Sequence, residues 1–460
     1  MSKDEAVLLI GRGKLFEPYL QGMIDVFSKD YTVLVLEQNE NIVYKGEYSR
    51  VNLPELPDTD SKDFWINLKQ AEQKTGLNLF FSYSNYFYYG RLAQEANIDY
   101  SHYWHSREWI ASQYMQSFNF MNAITSRYNL KFVFHDTIDL ILLQMVEAMS
   151  CKLGFGFYHT LIKPGPFDNR VLLAYGIPRK SALFTKYINE NISPTKEEKE
   201  VVDGIINTFC ENKPALTYLK NSSQKIITLN ELKRIPSRIK DFKFGFKRVI
   251  NRLYLHRQAQ DFSIDRAGKY ILFFLSHQPE ATTTSAAPKY ADQWKIIEEL
   301  AVHGPSDLNI VIKAHPFGYG WQGKNYFEKM LRLPNVMLAP ISFPGKELIQ
   351  NACAVLTING SVGLEAFIYD VPAYTIGDAW YGVPGIIQEL GDPLDILRHI
   401  DNPPIIGKED KYMVLAAAYR ASFEFFLDFS EDFADEKINS GRILANHILD
   451  NRDLYFGRPD

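Results

Sequence analysis

The sequence predicts an α/β protein built from two doubly wound, Rossmann-like domains with helices at its C-terminal end. Its 460 residues are too many for one ordinary hydrophobic core. Strand and helix patterns alternate regularly over residues 269–376, which is typical of a parallel sheet with helices on both faces. A strand, a glycine turn, a helix and a second strand also open the chain, and this order favours a second parallel sheet.

The first domain is predicted to span residues 1–262. Apolar runs and helical periodicity give its elements as strand Ala6–Ile10, helix 16–27, strand Tyr31–Leu36, strand Asn129–Phe134 and a helix to about Lys152. Asp136 or Thr137 is expected to cap that last helix, and Gly154 is expected to end it. Residues 60–128 are aromatic and helical in character.

A basic segment, residues 233–257, lies near the end of this domain. It holds nine Lys and Arg residues against one acid, Asp241. A segment of this kind is either a solvated helix face or a surface that touches anionic lipid or a phosphate-linked acceptor.

The second domain is predicted for residues 263–407, and closing helices that pack back on the domains are predicted for 408–460. Strands are expected at Lys269–Leu275, Asn309–Lys313, Val336–Leu338, Ala354–Thr357 and Ala373–Ile376. Helices are expected at Tyr290–Val302, Lys324–Leu331, Gly345–Asn351 and Val362–Tyr369. Ligands of such a sheet bind at the carboxyl ends of its strands.

The composition is that of a soluble globular protein, with 46% hydrophobic and 23% charged residues. The net charge of -5 disfavours nucleic acid as the main partner, because duplex binding needs a positive footprint. The chain opens without the basic start and long apolar run of a signal peptide, and charged residues interrupt the apolar stretch Leu140–Phe157. We therefore expect a cytoplasmic protein.

Two predicted strand ends carry histidine, proline and charged residues. After Leu275 the chain continues through Gln278, Pro279 and Glu280, so Glu280 either caps a helix or presents its carboxylate at the edge of the sheet. The next strand ends in Lys313-Ala-His315-Pro316, where the proline fixes the turn. Such a histidine is either an exposed turn residue or a donor to a phosphate, which it can also protonate.

A third strand end leads into a helix through Asn359, Gly360, Ser361 and Val362. Free backbone N–H groups and the helix dipole make such a turn an anion site, to which Lys313 would add positive charge. Glu365, one turn further on, either binds ribose hydroxyls or only balances the helix dipole.

These three motifs, in this order, resemble the capsule polysaccharide synthesis family, which includes bacterial β-Kdo transferases. The resemblance covers about residues 268–390 and rests on "FFLSHQPEATTTS", "VIKAHPFG" and "TINGSVGLEAFIYDVPAYTIG". It implies a GT-B-like glycosyltransferase, in which two Rossmann-like domains face each other across a cleft. Similar signatures in bacterial sialyltransferases and teichoic acid transferases imply a CMP-activated sugar as co-substrate and no other cofactor.

The resemblance also implies roles for single residues. His315 and Ser361 would bind the donor phosphate and Glu365 the ribose, while Glu280 would act at the anomeric carbon as nucleophile, base or orienting group. The full set of expected donor contacts is Gln278, Lys313, His315, Pro316, Asn359, Gly360, Ser361, Val362 and Glu365. Residues 268–390, which carry the resemblance, contain no metal-binding Asp-x-Asp motif, so helix dipole and cations are expected to replace a metal ion.

In this fold the acceptor lies on the N-terminal domain. Glu147 is a candidate base for the acceptor hydroxyl, or else a helix-surface carboxylate. Gly11 and Arg12 are candidate acceptor contacts, or else parts of a structural turn. Three alternatives remain open: a CDP-glycerol-type phosphotransferase, a UDP-hexose transferase and a non-catalytic nucleotide-sugar binder. The acceptor itself is expected to be a growing surface polysaccharide or glycolipid.

Overall fold

The computed structural model describes residues 3–11, 13–37, 39, 41–96, 103–135, 140–167, 169–175, 180–211, 239–285, 287–428, 430 and 432–457. These residues group into two compact units. The first unit comprises residues 1–85, 105–192 and 417–460, and the second comprises 86–104 and 193–416. The division differs from the predicted boundaries, because the described residues 193–211 and 239–262 group with the second unit and most of those in 408–460 with the first.

The strands follow the order of the sequence. They are β1 (Glu5–Ile10), β2 (Thr32–Leu36), β3 (Ser49–Val51), β4 (Asn129–Phe134), β5 (Gly156–Ile162), β6 (Arg170–Tyr175), β7 (Tyr270–Phe274), β8 (Asn309–Lys313), β9 (Val336–Ala339), β10 (Ala354–Thr357), β11 (Ala373–Thr375), β12 (Ile387–Glu389) and β13 (Phe423–Glu424). Most are short and apolar on both faces, as expected for strands that helices cover on two sides.

The helices of the first half lie between these strands, singly or in groups of three or more. They are α1 (Glu17–Phe27), α2 (Phe64–Thr75), α3 (Leu79–Glu95), α4 (Arg107–Arg127), α5 (Ile141–Leu153), α6 (Ala182–Asn189), α7 (Lys196–Glu211) and α8 (Ile239–Gln258). Gly154 ends α5 in the left-handed conformation, with φ of 81°, as predicted. Asp136 and Thr137, the predicted caps of that helix, lie outside the described residues.

The remaining helices belong to the second half. They are α9 (Ile264–Ala267), α10 (Ala281–Thr284), α11 (Gln293–His303), α12 (Lys324–Leu331), α13 (Gly345–Gln350), α14 (Val362–Ile368), α15 (Lys408–Ala421), α16 (Ala434–Asp450) and α17 (Arg452–Tyr455), with short 3-10 helices at Pro288–Tyr290 and Pro393–Arg398. Within the first unit α16 packs against α1, and the Arg442 guanidinium pairs with Asp25 at 2.6 Å.

Both sheets have a Rossmann-like strand order. The second unit carries the six-stranded order β12-β11-β10-β7-β8-β9, and every pair in it is parallel. The first unit carries the order β13-β6-β5-β4-β1-β2-β3, in which the strands from β5 to β3 run parallel and β6 pairs antiparallel with both β5 and β13. The predicted α/β fold with two Rossmann-like units is therefore confirmed.

Candidate functional site

The three predicted motifs meet at one edge of the second sheet. Strands β10, β7 and β8 are neighbours in that order and run parallel, so their carboxyl ends lie side by side. The polar residues that follow each strand are therefore brought together, as Rossmann-like topology requires.

Two histidines form the centre of this edge. His277 follows β7 and His315 follows β8, and their ring centroids are 5.7 Å apart. The amide of Phe317 donates to Nδ1 of His315 at 3.2 Å, so the neutral ring carries its hydrogen on Nε2. Burial, reinforced by His277, lowers the pKa of His315 to about 4. At neutral pH His315 is therefore an uncharged hydrogen-bond donor.

His277 belongs to the first motif, but its sequence pattern assigned it no role. Its ring meets that of Trp321 edge-on at 4.9 Å, and the guanidinium of Arg248 lies 4.3 Å from the same indole ring. Burial lowers the pKa of His277, and the positive charge of Arg248 lowers it further. The sequence did contain a signal for His277. The first two motifs are alike, because each places a histidine one or two residues before a proline.

The loop that carries His277 is held by glutamine side chains. Gln293, fully buried at the start of α11, accepts from the Ser276 amide at 2.7 Å and donates to the Ser276 carbonyl at 3.2 Å. Gln278 is also fully buried, and its Nε2 donates to the Ala291 carbonyl at 2.6 Å. These contacts position the loop, whereas a direct contact of Gln278 with a donor stays a prediction.

Glu280 stands at the end of the same loop. Its carbonyl accepts from the amides of Thr283 and Thr284 at 3.1 and 3.0 Å, so its backbone begins the short helix α10. Glu280 is exposed to solvent. The two sequence interpretations are thus compatible, because the backbone serves the helix and leaves the carboxylate outside the core.

Lys313 has a structural role and not the predicted phosphate-binding role. Its buried ammonium donates to the carbonyls of Pro340, Ile341 and Phe343 at 3.0, 3.3 and 2.6 Å. An ammonium has three hydrogens, so these bonds use its full donor capacity. Burial lowers its pKa to about 8. The expectation that Lys313 adds charge to a phosphate site is corrected: it ties the end of β8 to the chain that follows β9.

Pro316 and the third motif form backbone turns at the ends of the neighbouring strands β8 and β10. The Pro316 carbonyl accepts from the Tyr319 amide at 3.4 Å. The Gly360 amide donates to Oγ1 of Thr357 at 3.2 Å. Ser361 is the residue that precedes α14; it is exposed, and its hydroxyl makes no capping bond to the helix. Since α14 has only seven residues, the dipole contribution predicted for this turn is small.

Tyr381 supports the turn before α14, and the sequence patterns did not identify this role. Its buried hydroxyl donates to the Gly360 carbonyl. A Cβ on Gly363 would lie 2.6 Å from the Tyr381 hydroxyl oxygen, so the close approach depends on glycine. Burial raises the pKa of Tyr381, and the negative charge of Glu365 raises it further, which places that half-buried carboxylate near the same turn.

Two other predicted donor contacts, Asn359 and Val362, precede Glu365 in the third motif. Asn359 is half-buried between β10 and the turn, and Val362 is buried in the first turn of α14. Val362 can therefore contribute its backbone and its packing, but little side-chain surface.

The first unit holds the predicted acceptor residues. Gly11 follows β1, and a Cβ at this position would lie 1.9 Å from the Glu37 carboxylate. Glu37 itself is buried and accepts from the Tyr44 hydroxyl at 3.2 Å. Glu147 is buried in α5, so the helix-surface alternative is wrong for it. Arg12 lies outside the described residues.

The described residues offer neither a cluster for a metal ion nor a helix that could span a membrane. In that part of the chain there is no cluster of three or more His, Cys, Asp or Glu side chains that could hold a metal ion. Nor does any described helix combine the length and the apolar character that a transmembrane span needs.

Comparison with known proteins bears on the segment that contains this edge. Residues 184–403, just under half of the chain, match the family described as capsule polysaccharide biosynthesis protein. The capsule polysaccharide modification proteins LipB of Neisseria meningitidis serogroups A and B are 28% identical to the chain over 99 residues. That match covers 20% of this chain and 24% of each relative, so it spans about a quarter of their length.

Two solved structures are similar to the chain at low sequence identity. The β-Kdo 2,7 transferase of Thermosulfurimonas dismutans KpsC is 14% identical, with a TM-score of 0.37 over 74% of this chain and 90% of that one. The β-Kdo 2,4 transferase of the same organism's KpsC is 10% identical, with a TM-score of 0.39 over 63% and 79%.

The fold and the site define an α/β protein with a polar site at the carboxyl edge of a Rossmann-like sheet. The family match over residues 184–403 includes all three strand ends. The predicted resemblance to the capsule polysaccharide synthesis family is therefore confirmed for this segment.

Proposed function

We propose that the chain is a glycosyltransferase that moves a sugar from a CMP-activated donor to a growing surface polysaccharide or glycolipid. The observation that carries the proposal is the histidine pair at the sheet edge, His277 and His315 at 5.7 Å, within a segment of capsule polysaccharide biosynthesis type. The sugar we favour is Kdo. The place we favour is the cytoplasmic face of the cell membrane, and no metal ion is needed in the proposed reaction.

The chemistry of sugar transfer explains why this set of residues suits it. Breaking the bond between the anomeric carbon and the phosphate oxygen leaves negative charge on CMP and positive charge on the sugar. The N–H of neutral His315 and the hydroxyl of Ser361 would donate to that phosphate. A histidine whose pKa is about 4 is almost entirely unprotonated at pH 7, so we propose hydrogen bonding rather than protonation of the leaving group.

The carboxylate of Glu280 would serve the sugar side of the reaction. In a retaining, two-step transfer its oxygen bonds to the anomeric carbon while the electrons of the broken bond leave with CMP. The acceptor hydroxyl then attacks that carbon, releases the Glu280 carboxylate and loses its proton to a base. We propose Glu365 for the nucleotide ribose, and we keep Glu147 as the base and Gly11 and Arg12 as acceptor contacts.

Calorimetric binding of CMP, CDP, UDP and GDP to the wild type and to His315→Ala tests the proposal. We expect CMP to bind best and the variant to bind CMP much more weakly. Preference for CDP would favour a glycerol-phosphate transferase instead, and preference for UDP would favour a hexosyltransferase. Binding of no nucleotide would refute the transferase itself, and CMP binding without turnover would indicate a binder or scaffold.

A further inference from the structure

Helix α8 of the second unit contributes one of its faces to the support of the candidate site. Nδ2 of Asn251 donates to the Gly320 carbonyl and Nε of Arg252 to the Tyr319 carbonyl, each at 3.1 Å. Leu255, one turn further on, is fully buried. This inner face therefore holds the loop that begins with His315.

The opposite face of α8 presents apolar side chains to the outside. Phe246, Ile250 and Leu253 are 61%, 49% and 50% exposed. Their spacing of four and three residues puts them on one stripe, about half a turn of the helix away from Asn251 and Leu255. We call these three residues the outer stripe. A folded domain normally buries such a stripe, so its exposure calls for an occupant.

The charge of α8 indicates what that occupant is. The helix holds six Lys and Arg residues against one acid, whereas the whole chain has a net charge of -5. Lys247 and Arg257 are exposed in the same part of the helix as the outer stripe. A groove of about 410 Å³ at its C-terminal end is lined by Arg257, Lys324 and Arg332 around a single carboxylate, Glu328. The surface thus attracts anions.

We propose that the outer stripe and its basic neighbours dock on an anionic phospholipid bilayer, with α8 lying in the plane of the interface. A basic amphipathic helix with an exposed apolar face is the arrangement that binds membrane surfaces. A stripe of three side chains is small for a protein partner, because stable protein interfaces bury roughly 800 Å² on each side. Charge complementarity therefore selects the lipid surface.

The lipid-docking proposal rests on the proposed function in one respect, the location of the protein at the cell membrane. It does not depend on the chemistry of sugar transfer. Because the inner face of α8 holds the His315 loop, docking would also bring the candidate site close to the bilayer. A lipid-linked acceptor would be concentrated at that surface.

Vesicle flotation with the full chain tests the surface. We expect the protein to bind vesicles of phosphatidylcholine mixed with phosphatidylglycerol, and to bind vesicles of phosphatidylcholine alone much less. The triple variant Phe246→Gln/Ile250→Gln/Leu253→Gln should bind the anionic vesicles at least about tenfold less. The control Val302→Gln/Ile405→Gln removes two apolar residues that are 63% and 95% exposed elsewhere in the same unit, and it should bind like the wild type.

CMP binding by each variant separates this inference from the proposed function. If the triple variant binds CMP and still floats like the wild type, the outer stripe is not a lipid contact. If the wild type forms a dimer in solution that the triple variant loses, a second copy of the chain occupies the stripe and the lipid proposal falls. Absence of CMP binding in the wild type would count against the proposed function alone.

Discussion

The imidazole rings of His277 and His315 lie 5.7 Å apart, although the two residues are 38 positions apart in the chain. Parallel pairing of β7 with β8 brings the two loops together, and burial lowers the pKa of both rings. Two histidines this close would repel each other if both were protonated. Burial therefore disfavours the charged form of both rings, and the N–H of neutral His315 is left as a donor that suits an anion such as a phosphate.

Removing His315 should weaken CMP binding. A hydrogen bond to a charged group contributes about 1.5–3 kcal/mol, so His315→Ala should raise the Kd for CMP roughly 10- to 100-fold. His303→Ala is the matched control, because His303 lies on the exposed end of α11 and its ring contacts the carbonyl of Glu299 in the same helix. Calorimetry measures both. Equal affinity of His315→Ala and the control would place the phosphate elsewhere.

Acidification should destabilise the protein partly through His315. Its folded pKa of about 4 lies below the ordinary value of 6.5, so the unfolded chain binds more protons between these values. Stability from this group is therefore present above pH 6.5 and is lost as the pH falls towards 4. Melting temperatures of His315→Asn should fall less steeply over this range than those of the wild type.

Some acid sensitivity will persist in that variant, because burial also lowers the pKa of His447 to about 4 in the first unit. The control His303→Asn should keep the wild-type slope. Parallel curves for His315→Asn and the wild type would mean that His315 is protonated as easily in the folded chain as in the unfolded one.

The sequence was most informative where the strands are short, apolar and covered on both faces. The predicted ranges Asn309–Lys313 and Ala354–Thr357 coincide with β8 and β10, and the family motifs that follow them are on one sheet edge as expected. In residues 60–128 aromatic residues fill both buried and exposed helix positions. Periodicity therefore did not resolve α2, α3 and α4 there.

What the sequence did not predict depends on contacts between distant segments. The position of Arg248 over Trp321 joins residues 73 positions apart, and no local pattern connects them. Lys313 was misassigned because a lysine at a strand end looks the same whether it faces a ligand or buried carbonyls. The chain that follows β9 determines the environment of Lys313, because it places three carbonyl oxygens around the ammonium.

Replacing Lys313 should affect stability more than binding. Lys313→Met leaves three carbonyls without their donor, and an unsatisfied buried polar group costs about 1–3 kcal/mol. We expect a melting temperature roughly 2–10 °C lower, with CMP affinity reduced less than in His315→Ala. Thermal unfolding and calorimetry on the same samples measure the two effects. A large loss of affinity without a change in melting temperature would restore the phosphate role that the sequence suggested.

Adding a methyl group at Gly363 should disturb the turn before α14. The new Cβ would lie 2.6 Å from the Tyr381 hydroxyl, so either the ring or the turn must move. Overpacking of this kind costs about 1–3 kcal/mol, and we expect Gly363→Ala to bind CMP more weakly as well. Gly204→Ala in α7 is the control, since its Cβ would have no neighbour within 4 Å. Unchanged stability of Gly363→Ala would show that Tyr381 does not support the turn.

Glu280 is expected to take part in the reaction itself. If its carboxylate attacks the anomeric carbon, Glu280→Gln should lower turnover of CMP-Kdo at least about a hundredfold, because an amide is a far weaker nucleophile. CMP itself does not contact the sugar position, so its Kd should stay within about twofold of the wild-type value. Measuring CMP release and CMP affinity on the same preparation separates chemistry from binding.

Glu298→Gln provides the matched control, because Glu298 is an exposed carboxylate on α11 of the same unit. It should turn over CMP-Kdo at the wild-type rate. Full activity of Glu280→Gln would exclude the nucleophile and leave its backbone role at the start of α10, as a phosphotransferase would require. Loss of CMP binding together with activity would instead assign the Glu280 side chain to the nucleotide or to the shape of the loop, since a nucleophile that touches only the sugar leaves CMP affinity intact.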